Sequence, residues 1–488
     1  MNRYKKLLSD TAVYGMGTFA SKLLVFFLTR LYTECLTEAQ YGKADLISNM
    51  ANLLIPLAAA GICDAIFRFA LDREGDHKAV FSTGILILLV SGGAFVLLSP
   101  LLLMSSYFKS YVWLIVAYVI MSNFHSVCAQ YIRALDKTKL FAVQGILNTV
   151  LTISFNVLFL VILPDSSFFS GEYGYVFSIV IADFLVGCFV LIYAKLWRDI
   201  NFKLVRRNLT VSMLKYSLPL IPTTIFWWIT NVSDRYMVTY FLGEGQNGLY
   251  TAAYKIPTLL TLVTGVFSEA WQFSAVKEDD PAERANFYST VFACFQAIIF
   301  VGGAFVIAFS RIGAMILFAE SYYSAWQFIP VLVTASIFSS FVNFLSSVYI
   351  VKKRSTKSFM TAAVGAFANI VLNFMLIPSE LVFGDFTLKC AGLGVQGAAI
   401  ATLSSYAIVF IIRSADTRKL LRFDLHILNL VLNSIVIAGG VLAMLLIKNT
   451  LVLTITQAVF VALVIGINAS PLIRGLKTAL RSIKSKKS

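Results

Sequence analysis

Charged side chains that interrupt long apolar segments are the residues of this sequence most able to do chemistry. A charge at the centre of a lipid bilayer costs a few kcal/mol or more, so such residues usually face the interior of a helix bundle and mark a functional site. Ten of them fall in segments that we predict to span a membrane, and nine of the ten lie on the first, second, seventh and eighth spans. They are Lys22, Arg30, Asp45, Asp64, Arg68, Asp183, Asp234, Arg235, Lys255 and Glu269.

Four bases of this set favour an anionic substrate, because guanidinium forks and lysine ammonium groups commonly hold phosphates and carboxylates. At a rise of about 1.5 Å per residue, Lys22 lies near the midplane of the first span and Arg30 near its outer end. Arg235 on the seventh span lies at nearly the depth of Arg30. We predict that Lys22, Arg30, Arg235 and Lys255 bind substrate in a cationic lumen between two lobes. Structural ion pairing, or extension of a charged end to the membrane surface, remains the alternative.

Four other charged residues are candidates for ion coupling or gating. Asp234 and Glu269 are suited to hold a proton or a cation, although a salt bridge inside the bundle explains them equally well. Asp64 and Arg68 are four residues apart, so an ion pair on the helix surface is an alternative to a gate. Asp183 is expected at a helix end in solvent.

The composition excludes a soluble enzyme. The chain has 488 residues, of which 58% are hydrophobic and only 13% charged, and its mean hydropathy is +0.80. Soluble domains carry about twice that share of charge. Because a spanning helix needs about 20 apolar residues, we predict an all-α polytopic membrane protein with 14 spans; the alternative count is 12. The predicted spans are 11–33, 43–70, 79–104, 110–134, 139–163, 173–196, 214–242, 248–275, 286–310, 325–350, 357–378, 393–413, 424–447 and 449–470.

The loop charges orient these spans. If the N-terminus is cytoplasmic, the cytoplasmic segments carry 31 Lys and Arg residues and the outer loops carry 5. Positive residues accumulate on the cytoplasmic side of membrane proteins, so both termini are predicted to be cytoplasmic. Most of the net charge of +15 is then topological. We predict contact of the basic C-terminal tail with anionic membrane lipids and no binding to nucleic acid.

Three collinear pairs of motifs, offset by 206 to 223 residues, indicate an internal repeat of six spans in the same orientation. Parallel repeats of this kind enclose a substrate site between two halves that rock against each other. In the first pair, Tyr131-Ile132 and Thr138-Lys139-x-Phe141 recur as Tyr349-Ile350 and Thr356-Lys357-x-Phe359. In the second pair, Glu38-x-Gln40-x-Gly42 recurs as Glu244-x-Gln246-x-Gly248. In the third pair, Gly171-x-x-Gly174 recurs as Gly394-x-x-Gly397. The predicted organisation is an N-lobe (1–196), a cytoplasmic linker (197–213), a C-lobe (214–422), two further spans (423–470) and a basic tail (471–488).

No constellation for catalysis or for a cofactor is visible. The sequence has three histidines and no phosphate-loop motif, so we predict no enzyme activity, no metal and no cofactor. His125, in the fourth span, is interpreted as a hydrogen-bonded histidine of the bundle rather than as a proton relay. The six cysteines are interpreted as small buried hydrophobic residues.

Three stretches resemble the polysaccharide flippases of the multidrug/oligosaccharidyl-lipid/polysaccharide (MOP) exporter superfamily. Residues 234–256 look like the hairpin of spans 7 and 8 of these flippases, residues 14–42 look like their first hairpin, and Phe67-Arg68-Phe69 looks like the end of their second span. The resemblance implies two six-helix lobes plus two C-terminal helices, as in MATE transporters. It also implies that the lumenal cations of the family correspond to Arg30, Arg235 and, less directly, Lys22.

The resemblance implies a function in polysaccharide biosynthesis in a bacterial plasma membrane. The expected substrate is an undecaprenyl-diphosphate-linked oligosaccharide, which is moved from the cytoplasmic to the outer leaflet by alternating access. Glycan polymerase machinery is a candidate partner. A flippase for lipid II is a close alternative, because its substrate is also anionic. A MATE-type exporter of organic cations would need acidic lumen residues, and a membrane polysaccharide polymerase would need a long outer loop; the longest one predicted is 379–392.

Overall fold

The computed structural model describes residues 26–71, 76–164, 169, 171–277, 281–351, 354–383 and 386–484, and it is almost entirely helical. In this part of the chain ten helices are long and apolar enough to cross a membrane, or eleven if one bent pair counts as a single span. The predicted class, an all-α polytopic membrane protein, is therefore confirmed. The count of 14 stays a prediction, because much of the first span lies outside the described residues. The chain divides into two compact units between Val232 and Ser233.

The first unit is built from seven helices of the predicted spans, one helix of the predicted linker and the start of a ninth helix. Shorter helical turns at Ser99–Met104, Lys109–Tyr111, Leu158–Ile162, Leu196–Arg198 and Phe202–Leu204 connect or extend them. The helices are α1 (26–35), α2 (Glu38–Ala58), α3 (Ile62–Ala70), α4 (His77–Leu98), α5 (Val112–Ala134), α6 (Thr138–Val157), α7 (Gly171–Tyr193), α8 (Arg207–Ser217) and α9 (Leu220–Leu242), which continues into the second unit.

The second predicted span, 43–70, is not one straight helix. It consists of α2 and α3, which meet at an angle of 55°. Between them Ala60 and Gly61 have positive φ values of 50° and 64°, a left-handed conformation that ends a right-handed helix. The Ser217 hydroxyl of α8 donates a hydrogen bond to the Ala60 carbonyl at 2.8 Å, so the carbonyl released by the bend has a partner.

The predicted linker 197–213 lies on the first unit. The backbone N–H of Asn201 donates to the Ser82 hydroxyl at 2.8 Å, and that hydroxyl donates to the Asp199 carbonyl at 3.1 Å. Lys78 pairs with the Asp199 carboxylate at 3.3 Å, and Met213 is fully buried. The segment is thus held in place by α4 and the core of this unit.

The second unit contains the remaining helices and one β-hairpin. Glu320–Gln327 forms a 3-10 helix, and strands β1 (Glu380–Phe383) and β2 (Phe386–Lys389) pair antiparallel with Glu380 opposite Lys389. The helices are α10 (Glu244–Lys255), α11 (Thr258–Lys277), α12 (Pro281–Ala308), α13 (Ser310–Leu317), α14 (Ile329–Val351), α15 (Ser355–Leu376), α16 (Gly394–Leu420), α17 (Ile427–Leu446) and α18 (Thr450–Lys484).

The prediction of one helix over 248–275 is wrong. The chain forms α10 and α11 here, with a break at Ile256 and Pro257. Proline has no backbone N–H, and its ring clashes with the carbonyl four residues earlier, so it interrupts a helix. The Leu259 and Leu260 N–H groups instead donate to the carbonyls of Ile256 and Pro257, at 3.2 and 3.0 Å.

The glycine motif of the repeat has the same conformation in both copies. Gly171 and Gly394 begin α7 and α16 with φ values of 60° and 59°. A Cβ atom at Gly174 would lie 2.1 Å from the Phe169 carbonyl oxygen, and one at Gly397 would lie 2.4 Å from the Leu376 carbonyl oxygen. In each copy a left-handed glycine therefore starts a helix, and a second glycine lets backbone approach that helix closely.

Gly397→Ala is expected to destabilise the protein by about 1–3 kcal/mol, the usual cost of forcing an extra group into a filled site. The clash is with backbone, which cannot move aside as a side chain can. Gly439→Ala on α17 is the matched control, because a Cβ atom there meets nothing within 4 Å and alanine favours helix. Thermal unfolding of the purified variants in detergent measures both. Equal midpoints for the two variants would contradict the close approach at Gly397.

Candidate substrate and ion site

Arg30 lies near the end of α1 and is paired within its own helix. Its Nε atom donates to the Glu34 Oε1 atom at 2.6 Å, and the two side chains are 44% and 49% exposed. An exposed pair of this kind contributes little to stability, which leaves the arginine available to a stronger anion. Lys22, the other predicted base of the first span, lies outside the described residues.

Arg235 and Lys255 are both half-buried in the second unit. The Arg235 guanidinium lies over the Tyr254 ring, 5.0 Å from its centroid, and Tyr254 directly precedes Lys255 at the end of α10. A guanidinium on an aromatic face is held by the ring and keeps its charge for a further partner. The geometry therefore associates two of the predicted substrate-binding bases with α9 and α10.

Asp234 is the most strongly coordinated predicted residue. It is 2% exposed, and its Oδ2 atom accepts hydrogen bonds from the hydroxyls of Tyr250, Tyr254 and Thr402 at 2.7, 3.2 and 3.2 Å. Its Oδ1 atom accepts from the Arg235 backbone N–H at 2.9 Å. A buried charge is tolerable only with such partners. The carboxylate thus ties α9 to α10 and α16.

A chain of buried amides extends from this carboxylate. Asn373 donates through Nδ2 to Asn369 Oδ1 at 2.9 Å, and Asn369 donates through Nδ2 to the Thr402 hydroxyl at 3.5 Å. Both asparagines are essentially inaccessible to solvent. Carboxylate, amide and hydroxyl oxygens are ligands for a hard cation, and the carboxylate alone can bind a proton. The sequence analysis missed these residues, although two asparagines four residues apart in an apolar helix were a usable signal.

The other predicted coupling residues have no described contact with Asp234. Asp64 and Arg68 are both exposed on α3, and within the described part of the chain no ion pair joins them. Glu269 lies on α11, and its side chain is outside what the structure describes. The described residues contain no group of three or more His, Cys, Asp or Glu side chains arranged as metal ligands.

Asp183 lies deep inside the first unit, so the prediction that it sits at a helix end in solvent is wrong. It is 7% exposed at the middle of α7, and it contacts His125 of α5. His125 uses both ring nitrogens in hydrogen bonds, so the part of its interpretation that concerns hydrogen bonding is confirmed. The predicted span 173–196 already put this residue well inside a helix; what the sequence did not show is the set of hydrogen-bond partners that makes its burial tolerable.

Arg413 is the clearest omission of the sequence analysis, which counted it in a cytoplasmic loop. It is fully buried in α16. It donates to the Thr361 hydroxyl at 2.9 Å, to the Val342 carbonyl at 3.0 Å, to the Ser358 carbonyl at 3.1 Å and to the Ser346 hydroxyl. The helix continues seven residues beyond the predicted end of the span, and this places the arginine inside the bundle.

Many apolar helices with charged and amide side chains buried among them define a multi-pass membrane protein. Residues 7–271, more than half of the chain, match the family model for a polysaccharide biosynthesis protein. The chain therefore belongs to the polysaccharide biosynthesis protein family. Among curated proteins no significant match is found.

Solved structures share the fold at low sequence identity. The lipid II flippase MurJ in an inward closed conformation matches with a TM-score of 0.64 and 14% identity, over 95% of this chain and 99% of that one. A multidrug resistance MATE family transporter in an inward-facing conformation matches with a TM-score of 0.62 and 15% identity, over 84% and 95%. A MOP superfamily transporter from Pyrococcus furiosus, described by a reversed polarity of its binding pocket, matches with a TM-score of 0.59 and 14% identity, over 84% of this chain and 96% of that one.

Proposed function

We propose that this protein moves an undecaprenyl-diphosphate-linked oligosaccharide from the cytoplasmic to the outer leaflet of a bacterial plasma membrane by alternating access. The observation that carries the proposal is the half-buried Arg235 over Tyr254, in a chain whose family acts in polysaccharide biosynthesis. A diphosphate is the part of such a substrate that needs a cation inside a membrane. Arginine suits it because its charge is permanent and its donors are arranged as a fork.

The substrate-binding set in this proposal consists of Lys22, Arg30, Arg235 and Lys255. The Glu34 carboxylate holds Arg30 in the absence of substrate and is displaced when the diphosphate binds. Asp234 acts as an ion-coupling residue, since a proton or a cation bound there would change the local charge beside Arg235. Glu269, Asp64 and Arg68 belong to the same proposal as further coupling or gating residues.

The excess of lysine and arginine in alternate loops supports an orientation with both termini in the cytoplasm. In this orientation the β-hairpin of β1 and β2 faces the outer side of the membrane. The partners are the lipid-linked substrate, the surrounding membrane lipids and, on the outer side, a glycan polymerase. The hairpin is too short to carry a catalytic domain of its own, which disfavours a polymerase function for this chain.

A flippase for lipid II is the second candidate. Its support is the match to MurJ, which extends over 95% of this chain, whereas the matched MATE transporters extend over 84% or 85%. A MATE-type exporter of organic cations is less compatible with the bases of α9 and α10, since a cationic substrate would be repelled by them.

Loss of transport in the variants Arg30→Ala, Arg235→Ala and Lys22→Ala tests the proposal. We expect the wild type to restore surface glycan in a bacterium that lacks its own flippase. We expect each of the three variants to reduce the restored glycan about tenfold or more at matched expression, since one charge-assisted contact contributes about 1.5–3 kcal/mol. Lys389→Ala, on an exposed residue of β2, is the control and should restore glycan fully.

Three outcomes separate the functions. Rescue that is unaffected in all three variants would contradict the cationic substrate site and keep the flippase assignment. Rescue of a strain that lacks its lipid II flippase, but not of glycan-flippase mutants, would favour the second candidate. Export of cationic dyes without any rescue would contradict both.

A further inference from the structure

A cluster of polar side chains lies where α5, α6 and α7 meet in the first unit. Asp183 Oδ1 accepts from Asn148 Nδ2 at 2.9 Å and faces His125 Nδ1 at 3.0 Å, and Asp183 Oδ2 accepts from the Ser122 hydroxyl. The other ring nitrogen, His125 Nε2, lies 2.6 Å from Gln144 Oε1. The aspartate and the histidine therefore face each other, and their remaining polar atoms are almost all occupied.

The cluster lies about halfway along its helices. Asp183 is 12 residues from the start of the 23-residue α7, and His125 is 13 residues from the start of the 23-residue α5. Gly187, one turn after Asp183, allows this meeting, because a Cβ atom there would lie 2.6 Å from the Phe124 ring. Ionisable residues at such a depth are energetically unfavourable, so a histidine and an aspartate that serve packing alone would be less favourable than apolar side chains.

The arrangement has two complete hydrogen-bond patterns that differ by one proton. With Gln144 presenting its oxygen, both ring nitrogens of His125 must carry hydrogen, so the ring is an imidazolium and the pair with Asp183 is neutral overall. When His125 loses one proton, Nε2 becomes an acceptor, and the Gln144 amide must turn to donate its NH₂ group. The second pattern leaves one net negative charge inside the bilayer, where it is unfavourable.

Access of water to this pair is limited. The His125 and Asp183 side chains are 13% and 10% exposed, so exchange of a proton between the ring and water is sensitive to how water reaches this part of the first unit. Alternating access changes which parts of a transporter are open to water. Proton exchange and the transport cycle are thereby linked.

We propose that the His125–Asp183 pair, with Gln144, is a proton-binding site that is loaded and unloaded during the transport cycle. The proposal rests on the proposed transport function and adds the proton as a coupling ion at a site remote in sequence from Asp234. One proton is taken from water by the imidazole and is returned to water, with no other bond changed.

Other titratable groups around the pair do not replace it as the proton site. Tyr118 of α5 is within electrostatic reach of Asp183 and of Tyr175 of α7. The charged side chains of the helices that pack against α5 make no hydrogen bond or ion pair with His125 or Asp183, among the residues that the structure describes. They are Glu38, Lys43 and Asp45 of α2, Asp64 and Arg68 of α3, His77 and Lys78 of α4, Lys139 of α6 and Glu172 of α7.

Nitrogen-15 NMR of the histidine-labelled full chain in lipid bilayers tests the site directly. The chain has only three histidines, so His125→Gln identifies the His125 signals, and His77→Gln is the control that leaves them in place. We expect the His125 signals to change from imidazolium to neutral imidazole with rising pH, within the range of about pH 5 to pH 8 where histidines titrate or somewhat above it. A neutral His125 at all these pH values would overturn the proposal.

Two variants should change the proton affinity in opposite directions. Asp183→Asn removes the negative partner and is expected to weaken proton binding by His125 about tenfold or more, whereas Gln144→Glu adds a carboxylate at Nε2 and should strengthen it by a similar factor. A histidine that exchanges no proton at this pair would respond to neither variant. Such a result would also overturn the proposal.

A transport experiment distinguishes a failure of the proton site from a failure of the proposed function. We expect His125→Gln to fold but to lose the dependence of glycan rescue on external pH. Titration of His125 in a protein that fails to rescue any glycan strain would support the proton site and contradict the flippase assignment. Rescue with the same pH dependence in His125→Gln would overturn the proton site and leave the flippase assignment standing.

Discussion

Arg413→Ala is expected to destabilise the protein by more than about 3 kcal/mol and to lower its unfolding temperature by about 3–6 °C. The guanidinium has no exposed surface, and its donors reach the Thr361 and Ser346 hydroxyls and two backbone carbonyls on α14 and α15. Removing the side chain leaves a cavity as well as lost hydrogen bonds, and both effects act in the same direction.

Arg418→Ala is the control for this result. Arg418 lies in the last turn of the same helix and is exposed, so its removal should change stability by no more than about 0.5 kcal/mol. Arg413→Lys should give an intermediate loss, since an ammonium group has three donors at one point and cannot reach acceptors on two helices. Thermal unfolding in detergent, followed by the fraction of monodisperse protein, measures all three. Similar midpoints for Arg413→Ala and Arg418→Ala would show that the buried network contributes nothing.

Asp234→Asn is expected to abolish glycan rescue while the protein still folds. The amide has nearly the shape of the carboxylate and can still accept from one of the hydroxyls of Tyr250, Tyr254 and Thr402, but it binds no proton in the relevant range and, being uncharged, holds a cation much more weakly. Asp234→Ala should in addition lower stability by about 3 kcal/mol or more, because three buried hydroxyls and one N–H lose their acceptor.

The comparison of the two Asp234 variants separates coupling from structure. Glycan rescue and the unfolding temperature, both measured for each variant, distinguish a coupling role of Asp234 from a structural one. Thr402→Val is the control, since it removes one donor and keeps the shape, at a cost of about 1 kcal/mol. If rescue falls only in proportion to stability across the three variants, Asp234 has a structural role alone. If Asp234→Asn transports like the wild type, the coupling role is contradicted.

The fold class was predictable from the sequence because it depends on sums over long segments. Twenty apolar residues in a row have few alternatives to a membrane span, and the ten helices observed follow the predicted segments closely. Breaks inside spans were less visible. Pro257 is a single residue with a known effect, but the bend at Gly61 depends on a left-handed backbone and on a serine of a helix more than 150 residues away.

The candidate site was predictable in its residue types and less so in its partners. Asp234 and Arg235 were identified from charge alone, but Tyr250, Thr402 and Asn369 join them only through the tertiary fold. Arg413 was misplaced because its depth was judged from the predicted end of its span, and an error of a few residues there moves a side chain from a loop into the bundle. Asp183 was misplaced because its hydrogen-bond partners come from α5 and α6 and are not visible in the sequence.

The paired glycines at 174 and 397 have a consequence for genetics. In each case the atom that a new side chain would strike is a backbone carbonyl oxygen, of Phe169 or of Leu376. A clash with a side chain can be relieved by a smaller residue at the second position, but every amino acid carries the same carbonyl. A selection for second-site revertants of a substitution at either glycine should therefore return the glycine itself, or changes that shift a whole segment, and no compensating replacement at the contacted residue.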